Sequence, residues 1–393
     1  MYNNILKDAC KLSDELTEWR RYLHQNAEVG FELKKTTEFV AEKLKGMGYK
    51  PVRCGRAGVV ADIGEGESCF IIRADTDALP MCEESGENFA CKIGNMHACG
   101  HDMHTAMLLG AAKLLKAREG ELRGRIRLVF QPAEEILEGA KDMIENGLLE
   151  GCDGAFMIHV ASGLPVETGR VILPPPGAGA PSSDHFEIEV GGKSCHGSSP
   201  HQGVDALLAA AHLSVSLCEL SARELAMSDR AILTVGTMEA GSAPNVIADR
   251  AVLRGTLRTF DEDLRERLKG RICELANGIA AAYQATARVN FIHGCPVFVN
   301  NGELLDRLEE TLTKLLGKES VVAAATLGGE LGGSEDFAYV SQRVPTVVLS
   351  LAAGERGKGY DHPLHSSRVR FDESALPIGA AIYAAAAIVS RRL

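Results

Sequence analysis

The feature that most constrains the fold is a series of short apolar runs that alternate with helical patterns in the first part of the chain. The runs are Val59–Ile63, Cys69–Ala74, Arg125–Phe130 and Ala155–Val160. The helical patterns that separate the last three runs are Thr105–Leu115 and Glu138–Asn146. Strands that alternate with helices favour right-handed crossovers and a largely parallel sheet. This part of the chain therefore predicts an α/β domain.

Side chains of the metal-binding type lie where these predicted strands end. Asp75 and Asp77 follow one strand, and Glu134 and Glu135 follow another. His159 lies near the end of a third strand. Because open α/β sheets bind ligands at the carboxyl ends of their strands, we expect these groups to converge in space.

The densest group of such side chains lies between Asn95 and Thr105. Its members are His97, Cys99, His101, Asp102 and His104. A centre for two metal ions needs several ligands and a bridging group that holds the ions about 3.5–4 Å apart. Cys99 and His101 are two positions apart at a turn that opens a helix, so both can face one ion pair. The segment predicts one side of a metal centre.

Further ligands and a base come from later segments. Glu135 offers a carboxylate, His159 lies on an adjacent strand, and a last ligand could come from Asp361–His365. Glu134 and Glu135 are adjacent acids that can have different roles. One can bind metal while the other takes the proton of the attacking water, as a general base must. The combination predicts hydrolysis by a metal-bound water.

The order of elements changes after Pro174–Pro181, whose composition predicts a linker. The next elements are a strand at Phe186–Val190, a helix at Val204–Leu220, strands at Ala231–Met238 and Ala251–Thr259, a helix at Leu264–Tyr283 and a strand at Thr286–Ile292. This β-α-β-β-α-β order is that of a ferredoxin-like unit. After Gly294 the α/β pattern resumes. We therefore expect a catalytic domain in two parts, residues 1–181 and 295–393, and an inserted domain at residues 182–294.

Bulk properties exclude several classes of function. A chain of 393 residues favours two domains. Its net charge is −11, and no basic stripe is present, which argues against nucleic acid or an anionic membrane as a partner. Neither a secretory signal nor an apolar run of about 18 residues is found. The 11 scattered cysteines suit a reducing compartment, so a cytoplasmic location is expected.

Seven segments resemble the metal-dependent amidohydrolases that include hippurate hydrolase, plant auxin-conjugate hydrolases and N-acetyldiaminopimelate deacetylase. The segments are Arg20–His24, Arg73–Pro80, His97–Asp102, Gln131–Glu135, Gly192–His196, Asn245–Ile247 and Gly333–Phe337. The resemblance implies a zinc-peptidase-like α/β catalytic domain and an inserted ferredoxin-like α+β domain that acts as a lid and in dimerisation.

The same resemblance implies roles for individual residues. Cys99 would be a thiolate that bridges two ions, and the ligand set would be completed by His101, Glu135, His159 and His365. Glu134 would be the general acid/base, His196 would stabilise the oxyanion, and Asn245 is a candidate for binding the substrate's polar end. Asp75 and Asp77 are expected to orient ligands rather than bind metal. His97 and His104 are left outside the ligand set.

The chain departs from the family pattern at three places. Ala27-Glu28 stands where the family has Pro-Glu, and Ala248 stands where it has Pro after Asn-Val-Ile. The late His-Ser-Pro is His365-Ser-Ser367, with His362 three residues earlier. We favour His365 as the ligand because its distance to Phe371-Asp-Glu373 fits the family spacing.

The expected activity is hydrolysis of the amide bond of an N-acyl amino acid or small conjugate. A water bridging two metal ions would attack the carbonyl, with Glu134 taking its proton and passing it to the leaving amine. Two divalent ions per chain are implied, manganese or zinc first, with cobalt or nickel also compatible with a mixed thiolate site. A homodimer is expected. The acyl group and the amino acid remain open.

Three alternatives are weighed against this interpretation. A dipeptidase or aminopeptidase could use the same site but would need to recognise a free amino terminus. A catalytically silent metal-containing binding protein is disfavoured because Glu134 is intact. Cys195 beside His196 could suggest a nucleophilic pair, but neighbours on an extended segment point apart.

Overall fold

The computed structural model describes residues 2–122, 124–327 and 333–389. In these residues the helices are α1 Tyr2–Cys10, α2 Ser13–Gln25, α3 Lys34–Gly46, α4 His101–Lys116, α5 Gly139–Glu145, α6 Ala206–Arg223, α7 Glu262–Ala282, α8 Gly302–Leu316, α9 Ala338–Ser341 and α10 Ala375–Val389. The strands are β1 Val52–Cys54, β2 Gly58–Ile63, β3 Cys69–Asp75, β4 Arg125–Gln131, β5 Cys152–Ala161, β6 Val171–Leu173, β7 Gly177–Ala180, β8 Ser183–Gly191, β9 Cys195–His196, β10 Ala231–Ala240, β11 Val246–Ile247, β12 Arg250–Thr259, β13 Thr286–Cys295, β14 Phe298–Asn300, β15 Val321–Ala323 and β16 Thr346–Ala352.

The chain forms two compact units. The first comprises Met1–Gly179, Val299–Leu331 and Asp336–Leu393, and the second comprises Ala180–Phe298 with Gly332–Glu335. The assignment of catalytic and lid roles to such units remains a prediction. No described helix combines the length and apolar character that a membrane crossing requires.

The first unit is built on a sheet whose order is β1-β2-β4-β3-β5-β16-β6-β15 in the described residues. The neighbours β4, β3, β5 and β16 run parallel, whereas β1 with β2, β2 with β4, and β16 with β6 are antiparallel. The expectation of a largely parallel sheet therefore holds for the four central strands and for the edge pair β6 and β15, whereas the other pairings are antiparallel. β1 and β2 are joined by the short segment 55–57, and such a tight hairpin can only be antiparallel.

Helix α4 is the central helix of the first unit, and 14 of its residues are buried. Its residue Gly110 allows close approach to two other helices. A Cβ at this position would lie 2.7 Å from Leu16 Cδ2 and 2.9 Å from Ala380 Cβ. The small side chains of α10, such as Ala381 and Ala384, are fully buried. This tight packing fixes the helix whose first residue, His101, is one of the predicted metal ligands.

The second unit contains a four-stranded antiparallel sheet in the order β10-β12-β8-β13. Helices α6 and α7 share an apolar core with this sheet, for example Leu213 and Ile272 with Phe186 and Leu253. The chain order β8-α6-β10-β12-α7-β13 is that of a ferredoxin-like unit. The predicted fold class, an α/β domain with an inserted ferredoxin-like α+β unit, is confirmed.

Two local expectations differ from the structure. The periodic run from Ile5 to Leu23 predicts one helix, but helices α1 and α2 are separated at residues 11–12. The Ser13 hydroxyl donates to the Cys10 carbonyl at 2.8 Å, which provides a local alternative to a continuous helix. The predicted linker Pro174–Pro181 also contains strand β7, which pairs with β14.

Candidate metal centre

Cys99 and His101 are delivered by a tight turn at the start of α4. Between them, Gly100 has φ = 84° and forms the N-cap of the helix. A Cβ at Gly100 would lie 2.3 Å from Val160 Cγ2, so only glycine allows this turn to approach β5. The turn therefore brings the thiol and the imidazole next to the strand that carries His159.

The five predicted ligands form one cluster around the Cys99 sulfur and the Glu135 carboxylate. Cys99 Sγ lies 3.4 Å from His159 Nε2 and 3.3 Å from His365 Nε2. Glu135 Oε1 lies 3.5 Å from His365 Nε2 and 3.9 Å from His101 Nε2. In the segment Asp361–His365 it is His365 that contacts Cys99, so the geometry favours His365 over His362 as a member of the cluster.

The arrangement fits divalent cations. Within the described residues, His101 Nε2 and Glu135 Oε1 are buried and make no hydrogen bond. A buried polar atom without a partner costs about 1–3 kcal/mol. A thiol, three imidazoles and a carboxylate with free lone pairs are the donor types that zinc, manganese, cobalt and nickel accept. The five predicted ligands therefore suit a metal centre.

Glu134 lies beside this cluster and is 7% exposed. Its Oε2 is 4.0 Å from His101 Nε2. Glu134 and Glu135 follow strand β4 in a turn whose flanking residues both have positive φ, 55° at Ala133 and 59° at Leu137. His365 also has a positive φ of 64°. Such backbone is costly for residues other than glycine and is concentrated at functional sites.

Asp77 holds the two acids and His101 together. One carboxylate oxygen accepts from the backbone N–H of Glu134 at 3.0 Å, and the other accepts from that of Glu135 at 3.2 Å. The Asp77 backbone carbonyl lies 2.9 Å from His101 Nδ1 and accepts a hydrogen bond from its N–H. In the neutral ring the lone pair of His101 therefore lies on Nε2, the nitrogen that faces the cluster. Asp77 thus contacts both acids and His101, and its role in orienting metal ligands stays a prediction.

Asp75 and His104 form a second supporting pair. His104 Nδ1 donates to Asp75 Oδ1 at 2.5 Å, and His104 Nε2 accepts from the backbone N–H of Val160 at 2.8 Å. Both ring nitrogens are thus engaged, so His104 has no lone pair for a metal. Burial lowers the pKa of His104 to about 4 despite the opposing charge of Asp75, which keeps the ring neutral.

The cluster perturbs its own ionisable groups. Burial raises the pKa of Glu135, and the histidines nearby oppose this shift only partly. For His101, burial acts to lower the pKa, but the charges of Asp75 and Cys99 outweigh it and raise the pKa well above its usual value. Clustered groups with strongly shifted pKa values are typical of functional sites.

The two predicted site residues of the second unit also lie together. His196 in β9 is the register partner of Val246 in β11, and the N–H of Gly197 donates to the Asn245 carbonyl at 2.7 Å. The backbone N–H of Ser198 donates to His196 Nδ1 at 3.1 Å. Because Nδ1 accepts a hydrogen bond, the neutral ring carries its own hydrogen on Nε2. His196 is exposed and can therefore offer an N–H to a ligand.

Sequence reasoning missed a buried charged network behind the turn. Arg20 Nε donates to Asp102 Oδ2 at 2.7 Å, and His24 Nδ1 lies 2.8 Å from the same oxygen. His24 Nε2 lies 3.0 Å from Glu83 Oε1. The network joins α2 to the start of α4. Its sequence signals were Arg20–His24, a segment of the family resemblance without an assigned role, and Asp102, which was noted only as a side chain of the metal-binding type.

A second missed network supports the strands that carry the acids. Gln131 Nε2 and Arg73 Nη2 donate to Asp336 Oδ1 at 2.6 and 3.2 Å, and Arg73 Nη1 donates to Asp75 Oδ2 at 2.7 Å. Asp336 Oδ2 accepts from the backbone N–H of Ala140 at 2.8 Å. The side chains of this network lie in segments of the family resemblance, but Asp336 is distant in sequence from the residues that it contacts.

The fold and this centre define the class of metal-dependent hydrolases with an α/β catalytic domain, and comparison with known proteins gives the family. Residues 71–388 match peptidase family M20/M25/M40. The chain belongs to this family and is a metal-dependent amide hydrolase. The resemblance to metal-dependent amidohydrolases is thereby confirmed.

Individual relatives align over nearly the whole chain. Thermostable carboxypeptidase 2 of Saccharolobus solfataricus is 34% identical over 99% of this chain and 98% of its own length. N-acetyl-L-cysteine deacetylase of Bacillus subtilis is 38% identical over 93% of this chain and 85% of its own length. The crystal structure of the Bacillus subtilis YxeP protein, a dinuclear metal binding peptidase of the M20 family, matches with a TM-score of 0.81 at 31% identity, covering 97% of this chain and 99% of that one.

Proposed function

We propose that this enzyme hydrolyses the amide bond of N-acyl amino acids, with two divalent ions held by Cys99, His101, Glu135, His159 and His365. The observation that carries the proposal is the cluster in which the Cys99 sulfur lies 3.4 Å from His159 and 3.3 Å from His365, with Glu134 beside it. Manganese or zinc is proposed first. Bound divalent ions would polarise the amide carbonyl and make water more acidic.

Glu134 performs the proton transfers in this proposal. Its carboxylate lies at the edge of the cluster and has the Asp77 anchor on its backbone. It takes a proton from the attacking water and later gives that proton to the leaving nitrogen, as a general base and then a general acid do. Glu135, one residue further, is oriented by the other oxygen of Asp77 and serves as a ligand.

His196 and Asn245 are proposed to act on the substrate. A neutral His196 with its hydrogen on Nε2 can donate to the oxyanion that develops from the carbonyl oxygen. Asn245 can bind the polar end of the amino acid. Roles of the second unit as a lid and in homodimer formation, and a cytoplasmic location, belong to the same proposal.

The substrate class is supported by the relatives. N-acetyl-L-cysteine, named in one relative, and the last peptide bond cut by a carboxypeptidase share a leaving amino acid with a free carboxylate. An N-acyl amino acid combines both features. The carboxypeptidase relative favours short peptides as the second candidate class. A dipeptide hydrolase would additionally need to recognise a free amino terminus.

A hydrolysis screen tests the proposal. The enzyme is loaded with manganese, zinc, cobalt or nickel and incubated with N-acetyl, N-benzoyl and indole-acyl amino acids, and with dipeptides. We expect the N-acyl amino acids to be cleaved with the highest kcat/KM. Preferential cleavage of dipeptides that is lost when their amino group is acetylated would overturn the substrate assignment.

A matched pair of variants tests the base. We expect Glu134→Gln to lower kcat by about 10²–10⁴-fold while the metal content measured by atomic emission stays unchanged. Glu138→Gln, four residues away in the same segment, is the control and should retain activity. An unchanged kcat in Glu134→Gln would show that Glu134 does not transfer protons in the reaction.

A further inference from the structure

We propose that Cys69 and Cys152 form a reversible disulfide by reaction with low-molecular-weight disulfides. The two residues are register partners at the first positions of the parallel strands β3 and β5, directly before an irregularity in that pairing. Neighbouring strands lie about 4.8 Å apart, and a disulfide requires Cα atoms about 4.4–6.8 Å apart. Partners in register project from the same face of a sheet, so their sulfur atoms are on the same side.

The thiols contact each other and a cationic side chain. Arg127 Nη1 lies 3.7 Å from Cys152 Sγ. Hydrogen bonding with the Cys152 thiol lowers the pKa of Cys69 against the effect of burial, and the charges of Arg127 and Arg125 act in the same direction. The pair therefore gives up its first proton more readily than an isolated buried thiol would. A thiolate is the form that attacks a disulfide.

Unequal exposure assigns the order of the steps. Cys152 is partly exposed, whereas Cys69 is fully buried. The Cys152 thiol passes its proton to the Cys69 thiolate along their hydrogen bond and attacks one sulfur of glutathione disulfide, which forms a mixed disulfide and releases one glutathione thiolate. This glutathione thiolate takes the proton back from Cys69. The Cys69 thiolate then attacks the Cys152 sulfur, and the second glutathione thiolate leaves. Two protein thiols lose two protons and two electrons, and one oxidant disulfide becomes two thiols.

The position of the pair separates it from the metal centre. β3 begins at Cys69 and ends at Asp75, and β5 begins at Cys152 and carries His159 near its other end. The disulfide would fix the register of the two strands without touching the cluster. We therefore expect the oxidised protein to unfold at a higher temperature and to retain its hydrolytic rate.

Peptide mapping tests the inference on the metal-loaded protein. Trypsin yields peptides 57–73 and 142–170, which contain Cys69 and Cys152 as their respective single cysteines. After equilibration with glutathione disulfide and alkylation of free thiols, we expect these two peptides to be joined, and dithiothreitol to separate them. Unlinked, alkylated peptides under conditions that glutathionylate the exposed Cys10 would overturn the proposal.

Two variants test the assigned order. Cys69→Ser should stop the reaction at a Cys152–glutathione mixed disulfide, because no second thiol is present. Cys152→Ser should leave the buried Cys69 unmodified. Cys10→Ser is the control and should form the linked peptide as the wild type does. If the Cys69 variant does not fold, the wild-type peptide map alone decides, and a Cys152–glutathione adduct as its final product would contradict the proposal.

Discussion

Asp77 binds the backbone N–H of Glu134 with a side-chain oxygen at a distance of 3.0 Å, although the two residues are 57 positions apart. The second oxygen of the same carboxylate binds the backbone N–H of Glu135 at 3.2 Å. One side chain at the end of β3 thus sets the orientation of both acids. The turn that carries them depends on a group that is not itself in the cluster of ligands.

Replacing this anchor should weaken the site without unfolding the protein. Asp77→Asn retains one acceptor oxygen but turns an amide N–H toward the other backbone N–H. We expect metal affinity or kcat to fall by about 10- to 100-fold, as is common for groups that orient ligands. Titration calorimetry and initial rates measure the two effects. Asp306→Asn, an exposed change in α8, is the control, and equal behaviour of the two variants would argue against the anchor.

The Gly100 turn should tolerate no side chain. Gly100→Ala places a methyl group 2.3 Å from Val160 Cγ2 and adds backbone strain of about 1–3 kcal/mol at φ = 84°. We expect a lower thermal midpoint and weaker metal binding. Gly94→Ala is the matched control, since Gly94 has φ = 86° but no atom within 4 Å of the added Cβ. If both variants lose equal stability and bind metal equally, the approach to β5 is unimportant.

Loss of the central thiol should change metal stoichiometry. Cys99 lies against both His159 and His365, so its removal affects both sides of the cluster. We expect Cys99→Ala to lose at least one ion per chain under conditions that saturate the wild type. Inductively coupled plasma spectrometry gives the count, with Cys273→Ala in α7 as the control. Full occupancy in the Cys99 variant would contradict a bridging role.

The pairing of His24 with Glu83 should stabilise the protein at intermediate pH and lose its effect at both lower and higher pH. Burial acts to raise the pKa of Glu83, but the contacts with His24 outweigh burial and lower the pKa below 4.5. The contribution of the Glu83 carboxylate to the free energy of unfolding is therefore lost as the pH falls through this lowered pKa. Burial acts to lower the pKa of His24, but Asp102 and Glu83 raise it above 6.5. The contribution of the His24 imidazolium to the free energy of unfolding is complete below pH 6.5 and is lost as the pH rises through the raised pKa.

A variant series checks this dependence. The difference in urea midpoint between wild type and Glu83→Gln should be largest from about pH 5 to 6.5, between the unfolded-state pKa values of Glu and His. The difference should narrow toward both acid and alkaline pH. Glu87→Gln, in the same segment, provides the baseline. A difference that is constant over the whole range would show that the pair does not titrate as a unit.

The sequence predicts the helices and strands far better than it predicts which strands pair with each other. Strand β3 was expected at Cys69–Ala74 and spans Cys69–Asp75. The prediction is close because a continuous apolar run between two turns is typical of a buried strand. The antiparallel pairing of β2 with β4 was not foreseen, since pairing depends on contacts across the sheet. The break between α1 and α2 was missed because one hydroxyl, that of Ser13, overrides a regular apolar repeat.

The same division applies to the site. Spacing and resemblance pointed to the residues of the cluster, since ligands leave their chemical type in the sequence. The supporting groups were harder to foresee. His104 has the side chain of a ligand, and only its distances to Asp75 and to the backbone of Val160 identify it as a support. Glu83 carries no signal at all, because its partner His24 lies 59 positions earlier.

The hydrogen bond from the Ser198 backbone to His196 has a consequence for the way this side chain would meet a substrate. An imidazole whose tautomer is set by the main chain presents the same proton to a bound ligand without first having to acquire a positive charge. If His196 acts on the substrate as proposed, its Nε2–H needs no rearrangement of protons before the oxyanion forms.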